Sequence, residues 1–388
     1  MTDVLIFGQR NEGPIKTSTS VLDIPASTST VNVSILNTSG TIRGLSPSFF
    51  FGPKIEGHEY LAGPCFAFLI QHPVSKRTLV FDLGIRKDME NLPPTTRANF
   101  ESLGVTVTVP KHVREILDEQ GVDTKSIEAV IWSHSHFDHT GNPSTFDPST
   151  TLIVGPGTKK AVLPGYPADP NSPYLLESDI AGREVKELDF SNSNIKIGKF
   201  SAIDYFGDGS FYFLDTPGHC IGHICGFARV TSNPDSFILM GGDGVHHDGE
   251  LRPSHWHPLP DSISPHPFSP VSAAPCPGEL FHKVLREGKD EPFYLPAEGP
   301  YHEDTSLAKE TIKGLQEFDA HEDIFFVPAH DQFLIGVIDF FPKPANNFLE
   351  KDWVKKSRWL FLADFAKAVG HEGKIESTGD YTPLPKNR

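Results

Sequence analysis

Four side chains able to hold a transition metal fall within six consecutive positions of this chain. They are His134, His136, Asp138 and His139, in the stretch I-W-S-H-S-H-F-D-H-T-G over Ile131–Gly141. Imidazole nitrogens and carboxylate oxygens without thiolate suit Zn2+, with Mn2+, Fe2+ or Co2+ compatible. In extended backbone His134 and His136 point to one side and can grip the same ion. The chain must then turn, so Asp138 and His139 can serve a second ion beside the first. A hydrophilic loop with surface histidines would account for one His-x-His, but not for His-x-His-x-Asp-His directly after a strand.

That loop needs a rigid mount. Ala129–Trp132 is short and apolar, as a buried strand should be, and Thr140-Gly141-Asn142-Pro143 is turn chemistry. Val113, Ile116 and Leu117 recur at helical spacing between Pro110 and Gly121, predicting a helix that leads into the strand. Three later apolar runs also end in polar residues. Phe211–Leu214 precedes Asp215-Thr216-Pro217-Gly218-His219, Phe237–Met240 precedes Gly241-Gly242-Asp243, and Ile324–Phe326 precedes Val327-Pro328-Ala329-His330.

These four motifs, in this order, resemble those of the metallo-β-lactamase superfamily, and the resemblance spans most of the chain. It implies an α/β fold, the four-layer αβ/βα sandwich, with a metal site in a groove at one edge. It also implies a ligand set of His134, His136 and His219 for one metal, Asp138, His139 and His330 for the other, and Asp243 as the bridge. Two Zn2+ ions are the implied cofactors. Asp82-Leu83-Gly84 resembles the family's first loop, where the aspartate supports ligands from behind. Such a metal pair shares a water and lowers its pKa, giving a hydroxide nucleophile near neutral pH. One metal polarises the carbonyl, and Asp138 or Asp243 passes the proton to the departing atom. The pattern of strands with interspersed helices, lacking clean βαβ alternation, separately argues against a doubly wound sheet.

Within the superfamily the chain looks most like the branch of N-acyl homoserine lactonases and related cyclic-ester hydrolases. Bacterial lactonases commonly place a tyrosine three residues after the bridging aspartate; here His246 stands there, followed by His247. His246 can contact the substrate carbonyl, protonate a leaving group, or be an ordinary loop residue. The departure shifts the expected substrate toward a compact ring: an aromatic lactone, lactam or cyclic carbamate. Phe49, Phe51, Phe137 and Trp256 are candidates to line a flat slot for it, and His255 and His257 are read as surface residues. A thioesterase or other linear acyl hydrolase could use the same site. Two readings of other kinds are a mononuclear iron redox member and a non-enzymatic binding protein. The latter is usually marked by lost ligands, and all seven are present here.

Composition narrows the partners. A net charge of −16 argues against a nucleic-acid surface, and no apolar run reaches the length of a membrane span. Met1–Pro14 lacks an apolar signal core, which points to the cytoplasm. The four cysteines are too few for a disulfide scaffold, and Cys220 and Cys225 flank His223 in no common zinc spacing. A small-molecule partner is expected, and a homodimer is left open. The predicted organisation is an N-terminal arm over 1–50, a metallo-β-lactamase-fold domain over 51–341, and a C-terminal helical extension packing on the core over 342–388. A proline-rich insertion near 251–279 is expected to narrow the groove together with Phe49–Phe51. From Glu184 the punctuation predicts a β-meander with a hairpin at Asp208-Gly209.

Overall fold

The structure, a computed structural model, describes residues 21–376. Its first sheet contains β1 (Asn32–Leu45), β2 (Leu61–Gln71), β3 (Thr78–Phe81), β4 (Thr106–Thr108), β5 (Ile127–Ile131), β6 (Thr151–Val154) and β7 (Val185–Glu187), in the order β4-β1-β2-β3-β5-β6-β7. Strands β1, β2 and β3 pair antiparallel, whereas β3, β5, β6 and β7 run parallel. The second sheet contains β8 (Ile195–Ile197), β9 (Phe200–Asp204), β10 (Phe211–Asp215), β11 (Ile224–Ser232), β12 (Asp235–Met240) and β13 (Ile324–Val327). Its order is β13-β12-β11-β10-β9-β8, antiparallel except where β12 and β13 run parallel.

Period-two alternation along the strands sorts their side chains into layers. Phe66, Phe68 and Ile70 of β2, with Phe81 and Ile131, meet Phe211, Phe213, Ile238 and Met240 in the core between the sheets. Ala67 and Leu69 turn the other way and join Val80 and Val130 against Val113 and Leu117 of helix α1 (Val113–Glu119). On the far side Tyr212, Leu214, Phe227 and Leu239 pack against Ile312, Leu315 and Phe318 of helix α2 (Thr305–Asp319). The result is helix, sheet, sheet, helix, the expected four layers. Each fully buried Phe or Leu in this arrangement contributes about 1.5–3 kcal/mol by leaving water. Asp304 starts α2 by accepting the Leu307 N–H on its side chain at 2.9 Å.

The segment expected as an N-terminal arm contributes to the main sheet. Residues 1–20 lie outside the described residues, but Asn32–Leu45 is a strand of the main sheet with Val33 and Ile35 fully buried. Asn37-Thr38-Ser39-Gly40 interrupts the regular pairing of this strand. In the fold it is a shift in register against β2, with Ser39 at φ 55°, after which the strand resumes. Phe348, Trp353 and Val354, from the expected C-terminal extension, join the inter-sheet core. Leu360–Phe365 coils in a tight helical turn within a separate cluster that includes Leu259, Ile263 and Phe268 of the proline-rich stretch. Residues 377–388 of that extension lie outside the described residues. Among the described residues no helix is long and apolar enough to cross a membrane.

Candidate metal centre

Because β3 and β5 are parallel neighbours, the loops leaving their C-terminal ends lie side by side. Asp82 follows β3 in a left-handed conformation, φ 59°. Its Oδ1 accepts from the Ser133 N–H at 2.7 Å, and its Oδ2 accepts from Ser133 Oγ and His139 Nδ1, each at 2.8 Å. The backbone clamps the same contact, with Leu83 N–H donating to His139 O and Gly141 N–H to Gly84 O. A side chain at Gly141 (φ 48°) would put its Cβ 2.4 Å from that of Leu83, so only glycine lets the two loops touch. Phe137–Thr140 forms one helical turn after a bend over residues 133–136, which swings Asp138 and His139 back toward His134 and His136.

Asp243, just beyond β12, faces both halves of the cluster. Its Oδ2 lies 3.8 Å from His134 Nε2 and 3.5 Å from His219 Nε2, and the latter is 3.0 Å from His136 Nδ1. Its Oδ1 lies 3.0 Å from His139 Nε2 and 3.1 Å from His330 Nε2. Asp138 closes the second group, Oδ2 being 3.4 Å from His330 Nε2 and Oδ1 3.9 Å from His139 Nε2. All seven residues expected as ligands are thus brought together, in two groups that share Asp243.

The donor chemistry of these groups fits cations. His139 Nδ1 donates to Asp82, and His330 Nδ1 donates to the Pro64 carbonyl at 2.8 Å. With a metal ion bound, each ring would be neutral and Nε2 would turn its lone pair inward beside Asp243 Oδ1. Without one, Asp243 beside both rings pushes them well above the ordinary histidine range against the effect of burial. His134 Nε2, His139 Nε2 and Asp243 Oδ1 are buried without a hydrogen-bond partner. A positive charge, carried by protons on His139 and His330 or by a metal ion, must sit among these groups to offset Asp243. Burial, joined by neighbouring imidazoles, pushes His134 and His219 well below the ordinary histidine range, so they offer lone pairs instead of protons. Asp243 stays well below the usual carboxylate range against the effect of burial, because His139 and His330 lie beside it.

Several supporting residues were not legible in the sequence. His223 is fully buried; its Nδ1 donates to the Thr216 carbonyl at 2.9 Å, and its Nε2 accepts the Asp243 N–H at 3.1 Å. It braces Asp243 without reaching the centre, so its place beside two cysteines was no guide. Glu250 accepts the His246 N–H at 2.8 Å, and His302 Nε2 donates to the Phe50 carbonyl at 2.8 Å. Nothing in the local sequence marks either. The cysteines are all free, with Cys220 half-buried and the other three buried.

A cavity open to solvent runs up to Asp138, Asp243 and His330. Its apolar wall differs from the expected slot. Phe50, Leu61, Phe333 and Phe361 line it, whereas Phe49, Phe51, Phe137 and Trp256 do not. Phe49 packs on Tyr301 and Phe137 on Phe100, Phe51 is buried 4.5 Å from the ring of Tyr294, and Trp256 lies against His255. The proline-rich stretch stays out of the cavity wall as well. Its Leu259, Ile263 and Phe268 instead pack against Leu360–Phe365, the segment that delivers Phe361 and Asp364 to the wall. His246 does line the cavity, with Nε2 3.4 Å from Asp243 Oδ2 and its ring 4.6 Å from that of Phe50. His255 is exposed and His257 half-buried, and neither reaches the cavity.

Known proteins resemble this chain in both sequence and fold. Residues 60–233 match the family described as the metallo-beta-lactamase superfamily. Gamma-lactamase FDB1 of Fusarium pseudograminearum is 44% identical over 364 residues, covering 91% of this chain and 88% of that protein. Metallo-hydrolase mfmC of Annulohypoxylon moriforme is 42% identical over 373 residues, covering 94% and 96%. Among solved structures, B. thuringiensis AiiA with N-decanoyl-L-homoserine bound at its active site superposes with a TM-score of 0.54 at 16% identity, covering 81% of this chain and 99% of that one. At that identity the likeness speaks for the fold. Four sandwich layers, strand-end histidines and carboxylates gathered around one aspartate, and identity sustained over nine-tenths of the chain lead to one assignment: the chain belongs to the metallo-beta-lactamase superfamily, as a hydrolase-type member.

Proposed function

We propose that this protein opens a compact cyclic ester or amide, a lactone, lactam or cyclic carbamate, using two divalent metal ions, zinc foremost. His134, His136 and His219 would hold one ion, Asp138, His139 and His330 the other, and Asp243 both. When bound, such a pair acidifies water to a pKa near neutrality and polarises a carbonyl oxygen. The observation that carries the reading is the division of Asp243, one oxygen to each histidine group, at the inner end of a mostly apolar cavity. The γ-lactamase relative supports ring opening as the reaction class.

The chain's own residues bind, orient and carry protons. Asp82 and the Pro64 carbonyl hold the rings of His139 and His330 so that Nε2 faces inward. Phe50, Leu61 and Phe361 desolvate a flat substrate and exclude competing water. Asp138 sits between His139 and His330 at the cavity floor, where its carboxylate takes a proton from the attacking water and returns it to the departing oxygen or nitrogen. His246 is the side chain placed to hydrogen-bond the substrate carbonyl from the Phe50 side.

A ring has little conformational entropy to lose on binding and keeps its leaving atom tethered, so a confined cavity should favour it over a flexible chain. With zinc-loaded protein, kcat/KM for aromatic-fused lactones and lactams should exceed that for linear thioesters by at least about tenfold. Chelation should abolish turnover, and elemental mass spectrometry should find about two metals per chain. A preference for linear thioesters would replace the ring reading with thioester hydrolysis, and less than one metal per chain would end the dinuclear assignment.

His246→Ala should keep the metal and lower kcat by about a hundredfold, the scale of removing one carbonyl-directed donor. Loss of metal in this variant would make His246 a ligand or a prop. Unchanged kinetics would leave it a loop residue.

A further inference from the structure

The same cavity wall carries a second polar cluster that the chemistry above leaves unused: His58, His247 and Asp364. His247 Nε2 lies 3.2 Å from Asp364 Oδ2, and His58 Nε2 lies 3.8 Å from the same oxygen. Two imidazoles and a carboxylate suggest a third metal site, but the outer nitrogens of the rings argue otherwise. His247 Nδ1 accepts the Gly249 N–H at 2.9 Å, so the proton of that ring sits on Nε2, toward Asp364. His58 Nδ1 lies 2.8 Å from Tyr294 Oη, which makes no other hydrogen bond among the described residues and therefore donates here. The proton of His58 accordingly also sits on Nε2, and burial keeps this ring neutral by lowering its pKa to about 4. A protonated nitrogen has no lone pair for a metal.

What remains is a carboxylate oriented from one side. Asp364 Oδ2 takes the His247 N–H with His58 close by, while Oδ1 has no hydrogen-bond partner among the described residues. The cavity wall carries the apolar Leu45, Leu61 and Phe361 together with the polar Asp248, Asp331 and Gln332. An acceptor in such surroundings is costly to leave unpaired once a ligand displaces water from it. The structure assigns Asp364 as the acceptor for a hydrogen-bond donor on the substrate, a ring N–H or phenolic O–H, and hence as a selector among rings by where they carry that donor. His58, His247 and Tyr294 act on the substrate only through Asp364, as positioning residues. This inference rests on the ring-opening reading and names its substrate class more closely.

The test uses phthalide and its monohydroxylated isomers on the full-length, zinc-loaded protein. In the wild type one isomer should exceed phthalide in kcat/KM by about ten- to a hundredfold, mostly through KM, as expected for a hydrogen bond to a charged group. In Asp364→Ala that ratio should fall to within about twofold of unity. Asp364→Asn, which keeps the shape and one acceptor, should retain part of the preference and guards against a fold defect in the alanine variant. An isomer preference unchanged by Asp364→Ala, or no preference in the wild type, would overturn the assignment. So would a third metal present in the wild type and lost in the variant. If the wild type hydrolyses none of these lactones, the ring-opening reading fails separately. Equilibrium binding of the same set would then judge Asp364 by the same ratios.

Discussion

Replacing Asp243 with alanine is expected to empty the centre of metal and to lower kcat/KM by at least about a thousandfold. The side chain lies within 3.8 Å of four imidazole nitrogens from three different strand ends, Nε2 of His134, His219, His139 and His330. Without its carboxylate both groups of histidines lose their shared anion. The rings of His134 and His139 would remain packed together, their centroids 4.1 Å apart, with nothing to offset the charge of bound cations. Elemental analysis after zinc loading and steady-state kinetics on a lactone give the two readouts. A variant that retained both metals and more than about a tenth of wild-type activity would show that Asp243 is not the bridge. His246→Ala, made in parallel, separates loss of metal from loss of a substrate contact.

The largest expected effect on stability comes from Arg252, a buried arginine outside the metal centre. Its guanidinium donates to both oxygens of Asp319 on α2 at 2.8 and 2.6 Å, to Asp248 at 2.6 Å, and to the Arg358 carbonyl at 2.8 Å. One side chain thus joins the loop after Asp243, the outer helix, and the chain leading into Leu360–Phe365. Arg252→Ala would strand two carboxylates that are almost fully buried, Asp248 and Asp319. Removing one partner of such a buried network costs about 3–5 kcal/mol. Denaturant unfolding of the metal-free protein should show it, and a loss below about 1 kcal/mol would mean that water or relaxation replaces the arginine. Arg252→Met combined with Asp248→Asn and Asp319→Asn should recover much of the loss, because no buried charge is then left without a partner. Because Asp248 and Asp364 both line the cavity, the single variant should also weaken substrate binding.

Most of the candidate metal centre was legible in the chain because its residues sit at strand ends. A run such as Phe237–Met240 must bury its side chains, so the polar residues after it have to emerge at the sheet edge, and Gly241-Gly242-Asp243 does so. His-x-His-x-Asp-His announces itself by density alone. The layers followed from the same alternation, visible in β2, where Phe66 and Phe68 face one side and Ala67 and Leu69 the other. Asn37–Gly40 is a bulge and not a turn because β2 continues beside it, which only the pairing of the two strands decides.

The cavity was decided by tertiary structure. Phe50 lines it while Phe49 and Phe51 do not, a choice made by one residue of backbone direction and by the His302 hydrogen bond to the Phe50 carbonyl. Asp364 reaches the cavity because the proline-rich stretch packs under Leu360–Phe365 and because Arg252 holds the Arg358 carbonyl, contacts about a hundred residues apart in sequence. The residues of the candidate centre are histidines and aspartates that follow strands, so their type and spacing along the chain reveal them. A cavity wall needs only apolar surface in the right place, which many residues supply, and only long-range packing selects among them.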